Sequence, residues 1–198
     1  MIEVLVLYYS SGGSVKTLAN LIARGVDSVD GVGARIRTVA PVSKVCETIA
    51  PEIPEDGHPY IILKDLSECQ ALALGSPVRF GNMSAHLKYF LDSTSQEWLS
   101  GSLVNKPACV FTSSGSMHGG QEACLLSMMI PLIHHGMIMV GLPYTEAKLM
   151  ITTTGCGPYG VTHVAGFNDD NSISEDEKHL AIAQGKRLAT IALKLNKY

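Results

Sequence analysis

Charged and aromatic side chains are scarce in this sequence. Of its 198 residues, 17% are charged and 6% are aromatic, with a single tryptophan. The 15 basic and 18 acidic residues give a formal charge of −3, which excludes a strongly basic nucleic-acid-binding protein. The 19 glycines show no regular spacing, so collagen-like sequence is excluded as well. A surface with so few charges favours an oligomer, in which part of that surface is buried.

The cysteine pattern lacks any C-x-x-C pair. The five cysteines are far apart in the sequence, at Cys46, Cys69, Cys109, Cys124 and Cys156. A scattered, odd-numbered set does not fit a disulfide framework or a zinc site, and it favours reduced thiols in the cytoplasm. The N-terminal segment MIEVLVLYYS contains an acidic residue and no basic one, so it does not resemble a signal peptide. We therefore expect a cytoplasmic protein.

One uncharged stretch, residues 123–145, approaches the length of a membrane span. It is interrupted by Pro131, by the pair His134-His135 and by Gly136, all of which a spanning helix would have to bury. A buried helix followed by a buried strand explains the same stretch at lower cost. We therefore expect neither a membrane span nor peripheral membrane contact. Adjacent histidines on a helix do not face one another, so no metal site is expected here.

Short apolar runs alternate with helical patterns along the chain. The runs predict strands at residues 2–7, 34–39, 71–74, 108–111 and 137–140. Apolar stripes predict helices over residues 15–26, 83–91 and 122–135, and a capping box of Ser174 and Glu177 predicts the start of a last helix. This alternation indicates one α/β domain over residues 1–198, with a parallel sheet, right-handed crossovers and helices on both faces.

Two segments fall outside this alternation and are predicted to be long loops. Residues 41–65 contain four prolines, and residues 142–171 are rich in threonine, glycine and asparagine. Loops of this length in a compact domain are usually functional or form interfaces, and we expect these two to build subunit contacts. Because ligands bind an open parallel sheet at the carboxyl ends of its strands, the loops after the strands are the expected site of chemistry.

The loop after the first strand has the composition of an anion-binding site. It contains Ser10, Ser11, Gly12, Gly13, Ser14 and Val15, and a helix follows. Glycines let backbone N–H groups approach an anion, hydroxyls donate hydrogen bonds, and the helix dipole favours negative charge. Neither the P-loop pattern nor the G-x-G-x-x-G pattern matches, so a terminal phosphomonoester is the expected ligand. A plain strand-to-helix turn with a cap explains this loop equally well.

Two further loops have a similar polar, glycine-rich character. The third strand is followed by Pro77, Val78, Arg79 and Phe80, and the fourth by Ser113, Ser114, Gly115, Ser116, Met117 and His118. Exposed N–H groups and one arginine can meet the polar edge of a planar ring and stabilise negative charge on it after reduction. Alternatively, Phe80 simply packs and Arg79 is a solvated side chain. Together, the three loops indicate a slot for a ligand with a phosphate, a polyol and a flat heterocycle.

Several longer motifs make the sequence recognisable. They are VLVLYYS at residues 4–10, SPVRFGNM at 76–83, FLD at 90–92, SGSMHGGQE at 114–122, HHGM at 134–137 and GPYG at 157–160. With these motifs, which are spread over most of the chain, the sequence resembles the tryptophan-repressor-binding-protein (WrbA) family of flavodoxin-like NAD(P)H:quinone oxidoreductases.

The resemblance implies a fold, a cofactor and a reaction. The fold would be a flavodoxin-like three-layer α/β sandwich, with a five-stranded parallel sheet in the order 2-1-3-4-5. One FMN would bind non-covalently to each subunit. NADH or NADPH would deliver hydride to it, and a quinone would then accept two electrons in the same pocket. The assembly would be a homotetramer in equilibrium with dimers.

The resemblance also assigns roles to particular residues. Residues 10–15 would hold the FMN phosphate, whereas residues 77–80 and 113–118 would border the ribityl chain and the isoalloxazine. His134 would lie beside the ring, and Trp98 would help to form the pocket that quinone and nicotinamide share. Gly12-Gly13 stands where the family commonly has an aromatic residue followed by glycine.

Each of these assignments has an alternative. Without the resemblance, Trp98 is more typical of a core or an interface, and His134 of a helix end that Gly136 terminates. A flavodoxin-type electron carrier and an FMN-containing protein-binding module are the alternative functions. The net charge of −3 disfavours the carrier, because such carriers are typically far more acidic. No basic or helix-turn-helix-like pattern supports a nucleic-acid partner.

Overall fold

A parallel β-sheet forms the centre of the protein. The computed structural model describes residues 2–42 and 57–196, and its strands are β1 (Ile2–Tyr8), β2 (Val32–Thr38), β3 (Ala71–Pro77), β4 (Pro107–Ser114), β5 (Ile138–Met139) and β6 (Val161–Val164). Their order is β2-β1-β3-β4-β5, and β6 also pairs with β4. All of these strand pairs are parallel. The predicted order 2-1-3-4-5 is confirmed.

Helices cover both faces of the sheet. They are α1 (Ser14–Asp27), α2 (Leu63–Glu68), α3 (Ala85–Asp92), α4 (Ser95–Leu99), α5 (Gln121–His134), α6 (Ala147–Ile151) and α7 (Glu175–Leu195). Successive side chains of β1 point to opposite faces, so Val4 and Val6 pack with α1 and α7. Leu5 and Leu7 pack instead with α2, α3 and α5. The two cores that result give the predicted three-layer arrangement.

The predicted loop at residues 142–171 is wrong in part, because it contains α6 and β6. β6 has only four residues, VTHV, and therefore lacks the continuous apolar run by which a buried strand is recognised. It lies against the second half of β4, where Phe111 pairs with Val161 and Ser114 with Val164. Among the described residues the sheet therefore has six strands rather than the five predicted.

The strand predicted at residues 137–140 is shorter than expected and lies beside only the first residues of β4. Ile138 pairs with Pro107 and Met139 with Ala108, after which β5 ends. β6 then continues along the same edge of β4 towards its carboxyl end. The loop after β6 is thereby placed beside the loops that follow β1, β3 and β4.

The uncharged stretch at residues 123–145 is divided between α5 and β5. α5 ends at His134, and Gly136 follows with a φ of +79°, a left-handed conformation that glycine adopts without strain. The predicted order of helix and strand is confirmed, but the predicted burial is wrong in part: Ile138 in β5 is exposed, as are Ile130 and Ile133 in α5. Of the helices in the described ranges, none is long and apolar enough to cross a membrane.

Only the ends of the predicted loop at residues 41–65 can be described, because residues 43–56 lie outside the described residues. At its far end, Asp65 in α2 is buried and accepts hydrogen bonds from Arg35 (2.9 Å) and Arg37 (3.0 Å). Burial alone would raise the pKa of Asp65, but the Ile62 N–H and the two guanidinium groups outweigh it and lower that pKa. This end of the segment is therefore core structure, whereas the subunit contacts expected of residues 43–56 stay a prediction.

The helices α1 and α7 approach each other closely through two glycines. A Cβ on Gly185 would lie 2.8 Å from the carbonyl carbon of Ile22, and one on Gly25 would lie 2.8 Å from that of Ile182. Real Cβ atoms essentially never come so near to backbone. The two helix backbones are therefore in direct contact, which only glycine permits at these positions.

The capping box predicted for the last helix is confirmed. Ser174 Oγ accepts from the N–H of Glu177 (3.2 Å), and Glu177 Oε2 accepts from the N–H of Ser174 (2.8 Å). The same oxygen lies 3.1 Å from Nδ1 of His163 in β6, and both side chains are buried. Burial lowers the pKa of His163, but the hydrogen bond and charge of Glu177, followed by the Asn171 carbonyl and the charge of Asp169, together raise it by more, so the net shift is upward. This pair joins β6 to α7.

Candidate functional site

A cleft of about 380 Å³ opens at the carboxyl ends of β1, β3, β4 and β6. Such a volume lies within the range of small-molecule sites. Its lining from the first three of these strand ends is Ser10, Ser11, Gly12, Ser14, Val15, Pro77, Val78, Arg79, Ser113, Ser114 and Gly115. The structure thus brings together side chains from three loops that are far apart in the sequence. All of these lining residues belong to the predicted site.

The first turn of α1 forms an anion cradle at one end of the cleft. Gly13 is the N-terminal cap, with a φ of +103°, and its N–H donates to Ser10 Oγ (3.1 Å). The first turn of α1 contains no acidic side chain that would neutralise the positive end of the helix dipole. Ser10, Ser11 and Ser14 therefore line the cleft beside the start of α1, whose first turn supplies no counter-charge of its own.

The loop after β3 is a tight turn that projects an aromatic ring. Arg79 and Asn82 exchange two backbone hydrogen bonds (2.8 and 3.0 Å), and the two residues between them, Phe80 and Gly81, have φ of +52° and +74°. Positive φ at both central positions is the geometry of a type I′ turn. The Phe80 side chain is fully exposed as a result and does not pack into the core. A bulky residue held exposed in a strained turn is a feature typical of ligand sites.

Arg79 provides the positive charge among the lining residues of the cleft. Its guanidinium donates to Ser11 Oγ (3.0 Å) and to the carbonyl oxygen of Val78 (2.9 Å). These bonds direct the side chain across the cleft toward the loop after β1, so it is not simply solvated. The backbone N–H of Val78 in turn donates to Ser113 O (2.9 Å), which ties the loops after β3 and β4 together.

The loop after β4 is held by Gln121, a residue that the sequence analysis does not single out as a site residue. Gln121 Nε2 donates to Ser114 Oγ (2.8 Å) and to the carbonyl oxygen of His163 (2.9 Å). Ser114 Oγ donates in turn to Ser116 O (2.7 Å). Ser116, Met117 and His118 are exposed and lie on the rim of this loop outside the cleft lining.

A fourth loop, which the sequence does not predict as part of the site, completes the cleft. It follows β6 and contributes Ala165, Gly166, Phe167 and Asp169. Asp169 Oδ1 accepts a hydrogen bond from the hydroxyl of Ser14, 155 residues away in sequence. The sequence does not indicate this loop as part of the site, because β6 is not recognisable as a strand. Once β6 is known, the rule that ligands bind at strand ends would have pointed to this loop.

A stacked ring pair lies next to the cleft and is a second feature that the sequence analysis misses. The rings of Tyr9 and His86 are nearly parallel, with centroids 4.1 Å apart. Burial raises the pKa of Tyr9, although the positive charge of Arg79 acts in the opposite direction. For His86, burial lowers the pKa, and the charge of Arg79 lowers it further. Within the described part of the chain, the buried Nδ1 of His86 has no hydrogen-bond partner. A neutral imidazole is thus held beside the arginine.

The two remaining predicted site residues, Trp98 and His134, lie in a different cavity of about 460 Å³ between α3, α4 and α5. Trp98 Nε1 donates to the carbonyl oxygen of His134 (2.9 Å). The cavity shares no lining residue with the strand-end cleft. Next to it, His135 is buried against Thr94 Oγ1 (2.9 Å), and burial lowers its pKa. The structure therefore brings Trp98 and His134 to each other, but not to the cleft of the same chain.

Comparison with known proteins agrees with the fold. The sequence profile of "NADPH-dependent FMN reductase" matches residues 2–147. The chain is 40% identical to an NAD(P)H dehydrogenase (quinone) of Solidesulfovibrio magneticus, covering 98% of both chains. It is 39% identical to one of Syntrophobacter fumaroxidans, covering 98% of this chain and 99% of the relative.

Solved structures share the architecture at lower identity. A "flavodoxin, WrbA-like protein" from Agrobacterium tumefaciens has a TM-score of 0.69 at 22% identity, and the match covers 98% of this chain and 99% of the other. Flavodoxin 1 from Bacillus cereus has a TM-score of 0.61 at 13% identity, with 95% and 97% covered. These likenesses confirm the flavodoxin-like fold predicted from the sequence.

Proposed function

The chain belongs to the NADPH-dependent FMN reductase family, and we propose that it is an FMN-dependent NAD(P)H:quinone oxidoreductase. The observation that carries this proposal is the cleft at the strand ends, which joins an anion cradle to Arg79 and to the turn that exposes Phe80 beside it. A phosphate, a polyol and a planar ring would find matching groups there in that order. The near full-length relatives named for quinone reduction favour an enzyme over a carrier.

The residues present fit FMN at the cradle. The backbone at Gly12 is approached closely by an anionic group, because a Cβ built there would lie 2.7 Å from Cγ of Asp169. Ser10, Ser11 and Ser14 supply hydroxyls for the same group. We therefore propose that residues 10–15 hold the FMN phosphate.

The other predicted contacts follow the length of the cleft. Pro77, Val78, Arg79 and Phe80 would border the ring system, and residues 113–118 the ribityl chain and the far side of the ring. When bound, FMN supplies two-electron transfer between a nicotinamide and a quinone. Arg79, whose guanidinium is held by Ser11 and the Val78 carbonyl, would stabilise negative charge on the bound ring. The exposed Phe80 side chain in the turn with Gly81 would shield one side of that ring from water.

We propose that Trp98 and His134 contribute to the substrate pocket in an assembled oligomer. In one chain these residues line the cavity between α3, α4 and α5, away from the cleft. Large apolar side chains around this cavity are exposed, including Trp98 (49%), Leu126 (46%), Ile130 (60%) and Ile133 (57%). An apolar patch of this kind marks an interaction site. A homotetramer in equilibrium with dimers would cover it and bring a partner's surface to these two residues.

Two finer assignments complete the proposal. We place the protein in the WrbA family on the motifs at residues 76–83 and 114–122, and the WrbA-like fold neighbour is consistent with that placement. We place it in the cytoplasm, because the described cysteines, Cys69, Cys109, Cys124 and Cys156, are all free thiols. Either NADH or NADPH serves as the donor in this proposal.

The test is reconstitution of the purified chain with FMN, followed by assay of NADH and NADPH oxidation with benzoquinone. We expect FMN fluorescence to be quenched on binding and nicotinamide oxidation to depend on both FMN and quinone. A protein that binds FMN but oxidises NAD(P)H slowly, while exchanging single electrons rapidly with a redox protein, would instead be a flavodoxin-type carrier. A protein that binds FMN with neither activity would be a binding module, and either result would refute the proposed enzyme.

A further inference from the structure

The anion cradle is closed by a carboxylate of the chain itself. Asp169, in the loop after β6, accepts the hydrogen bond of the Ser14 hydroxyl at the start of α1. Its carboxyl carbon would lie 2.7 Å from a Cβ built on Gly12. The side chain of Asp169 is exposed and lines the cleft. The group therefore occupies the place that the proposed function gives to the phosphate of FMN.

The electrostatics of α1 explain why a carboxylate is stable at this position. The first turn of α1 has no acidic residue of its own, so the positive end of its dipole is uncompensated by local sequence. Asp169 supplies the missing charge from the far end of the chain, with the Ser14 hydroxyl as donor. A phosphate monoester carries a larger negative charge and would be repelled by the carboxylate at this distance. The two anions therefore compete for one site.

The segment that carries Asp169 is short and fixed at both ends. The Asn171 N–H donates to Ala165 O (2.9 Å), and its side-chain amide donates to Val164 O (3.0 Å). The carbonyl of Asn171 is also bound by Nε2 of His163 (3.1 Å), whose ring is held by Glu177. We call the five residues between these anchors, 166–170, the strap. Movement of the strap need not disturb β6 or α7.

The backbone of the strap contains two residues in the left-handed conformation. Asp169 has a φ of +58°, which costs aspartate less than most residues other than glycine. Gly166, with a φ of +83°, adopts this conformation without strain. The hydrogen bond from the Ser14 hydroxyl to the Asp169 carboxylate favours this conformation of the strap.

We propose that Asp169 is an internal anion that closes the cradle when the cofactor is absent and is displaced by the cofactor's phosphate. This inference rests on the proposed function, because it takes the cradle to be the FMN phosphate site. Competition from the Asp169 carboxylate makes the affinity for FMN lower than the cradle alone would give. The affinity for riboflavin, which lacks the phosphate, is independent of Asp169.

The test compares Asp169→Asn with Asp170→Asn, which makes the same change of charge at the next residue of the strap. FMN and riboflavin are titrated into the apoprotein, and binding is followed by flavin fluorescence quenching. We expect Asp169→Asn to bind FMN about tenfold more tightly than wild type, the size of one charge interaction close to the surface. The affinity of Asp169→Asn for riboflavin, and that of Asp170→Asn for either flavin, should stay within about twofold of wild type, the usual range for an exposed substitution. Added salt should narrow the FMN difference.

Two outcomes separate the strap from the proposed function. Suppose that wild type binds FMN and that Asp169→Asn binds it no more tightly, or gains the same factor in affinity for riboflavin as for FMN. Either result refutes the competition while the proposed function stands. If no variant binds FMN, both fail together. Asp169→Gly, which also removes the unfavourable φ, serves as a second variant and should tighten FMN binding in the same way. Circular dichroism confirms that each variant is folded before titration.

Discussion

The contact between α1 and α7 gives a quantitative prediction for Gly185→Ala. The new Cβ would lie 2.8 Å from the Ile22 carbonyl carbon and 3.1 Å from the backbone nitrogen of Val26. Backbone atoms cannot rotate away as a flexible side chain does. The Ile22 carbonyl oxygen would be nearer still, so the helices would have to separate by about 1–1.5 Å to restore ordinary contact distances, in an interior packed as densely as a crystal.

The expected cost follows from two opposing terms. Overpacking of a well-packed interface costs about 1–3 kcal/mol, and a clash with backbone belongs at the upper end. Alanine in place of glycine inside a helix returns about 1 kcal/mol of helix propensity. We therefore expect Gly185→Ala to lower the free energy of unfolding by about 2 kcal/mol, or the urea midpoint by about 1 M.

Urea unfolding followed by circular dichroism measures this effect, with exposed Lys186→Ala on the same helix as the control. Lys186→Ala should change stability by less than about 0.5 kcal/mol. Gly25→Ala should reproduce the loss, and the double variant should lose less than the sum, because one separation of the helices relieves both clashes. A Gly185→Ala protein as stable as wild type, or fully additive losses, would refute the backbone-contact argument.

Three further predictions follow from other parts of the structure. Glu177→Gln keeps the cap on Ser174 but removes the largest contribution that raises the pKa of His163. In urea titrations, wild type should lose stability as pH rises above 6.5 and through that raised pKa, whereas the variant should lose less; equal slopes would contradict the prediction. Ile130→Asp, on the exposed apolar face of α5, should shift sedimentation toward smaller species, whereas Lys186→Ala on α7, outside this cavity, should not; an unchanged assembly would exclude this face. In the Asp169→Asn background, where the competing carboxylate is absent, Ser14→Ala should weaken FMN more than riboflavin in the fluorescence titration, and equal effects would place the phosphate elsewhere.

Local patterns were sufficient to predict most of the fold. The apolar runs of β1, β3 and β4 are strands buried on both faces, so their sequences carry the signal without reference to any partner. The capping box at Ser174 and the helix end at Gly136 are equally local, because each depends on residues a few positions apart. The edge of the sheet at which ligands bind then follows from the parallel arrangement alone.

The sequence predicts three of the four loops that line the cleft, but not the loop after β6. Ser10, Arg79 and Ser113 follow strands that the sequence identifies, so their meeting in one cleft could be expected. The contribution of the strap could not be expected, because β6 is identified as a strand only by its pairing with β4. The four residues of β6 have no apolar periodicity that distinguishes them from a loop.

What the sequence by itself determined was the order of the elements, the two-sided core and the polar loops at the strand ends. These depend on side-chain periodicity and capping, which act over one or two turns of chain. Only the tertiary structure decided that Asp169 meets Ser14, that Gly25 and Gly185 bring two helix backbones together, and that Trp98 lies apart from the cleft. These contacts join residues far apart in the chain, and their energies come from packing and charge in three dimensions rather than from local propensity.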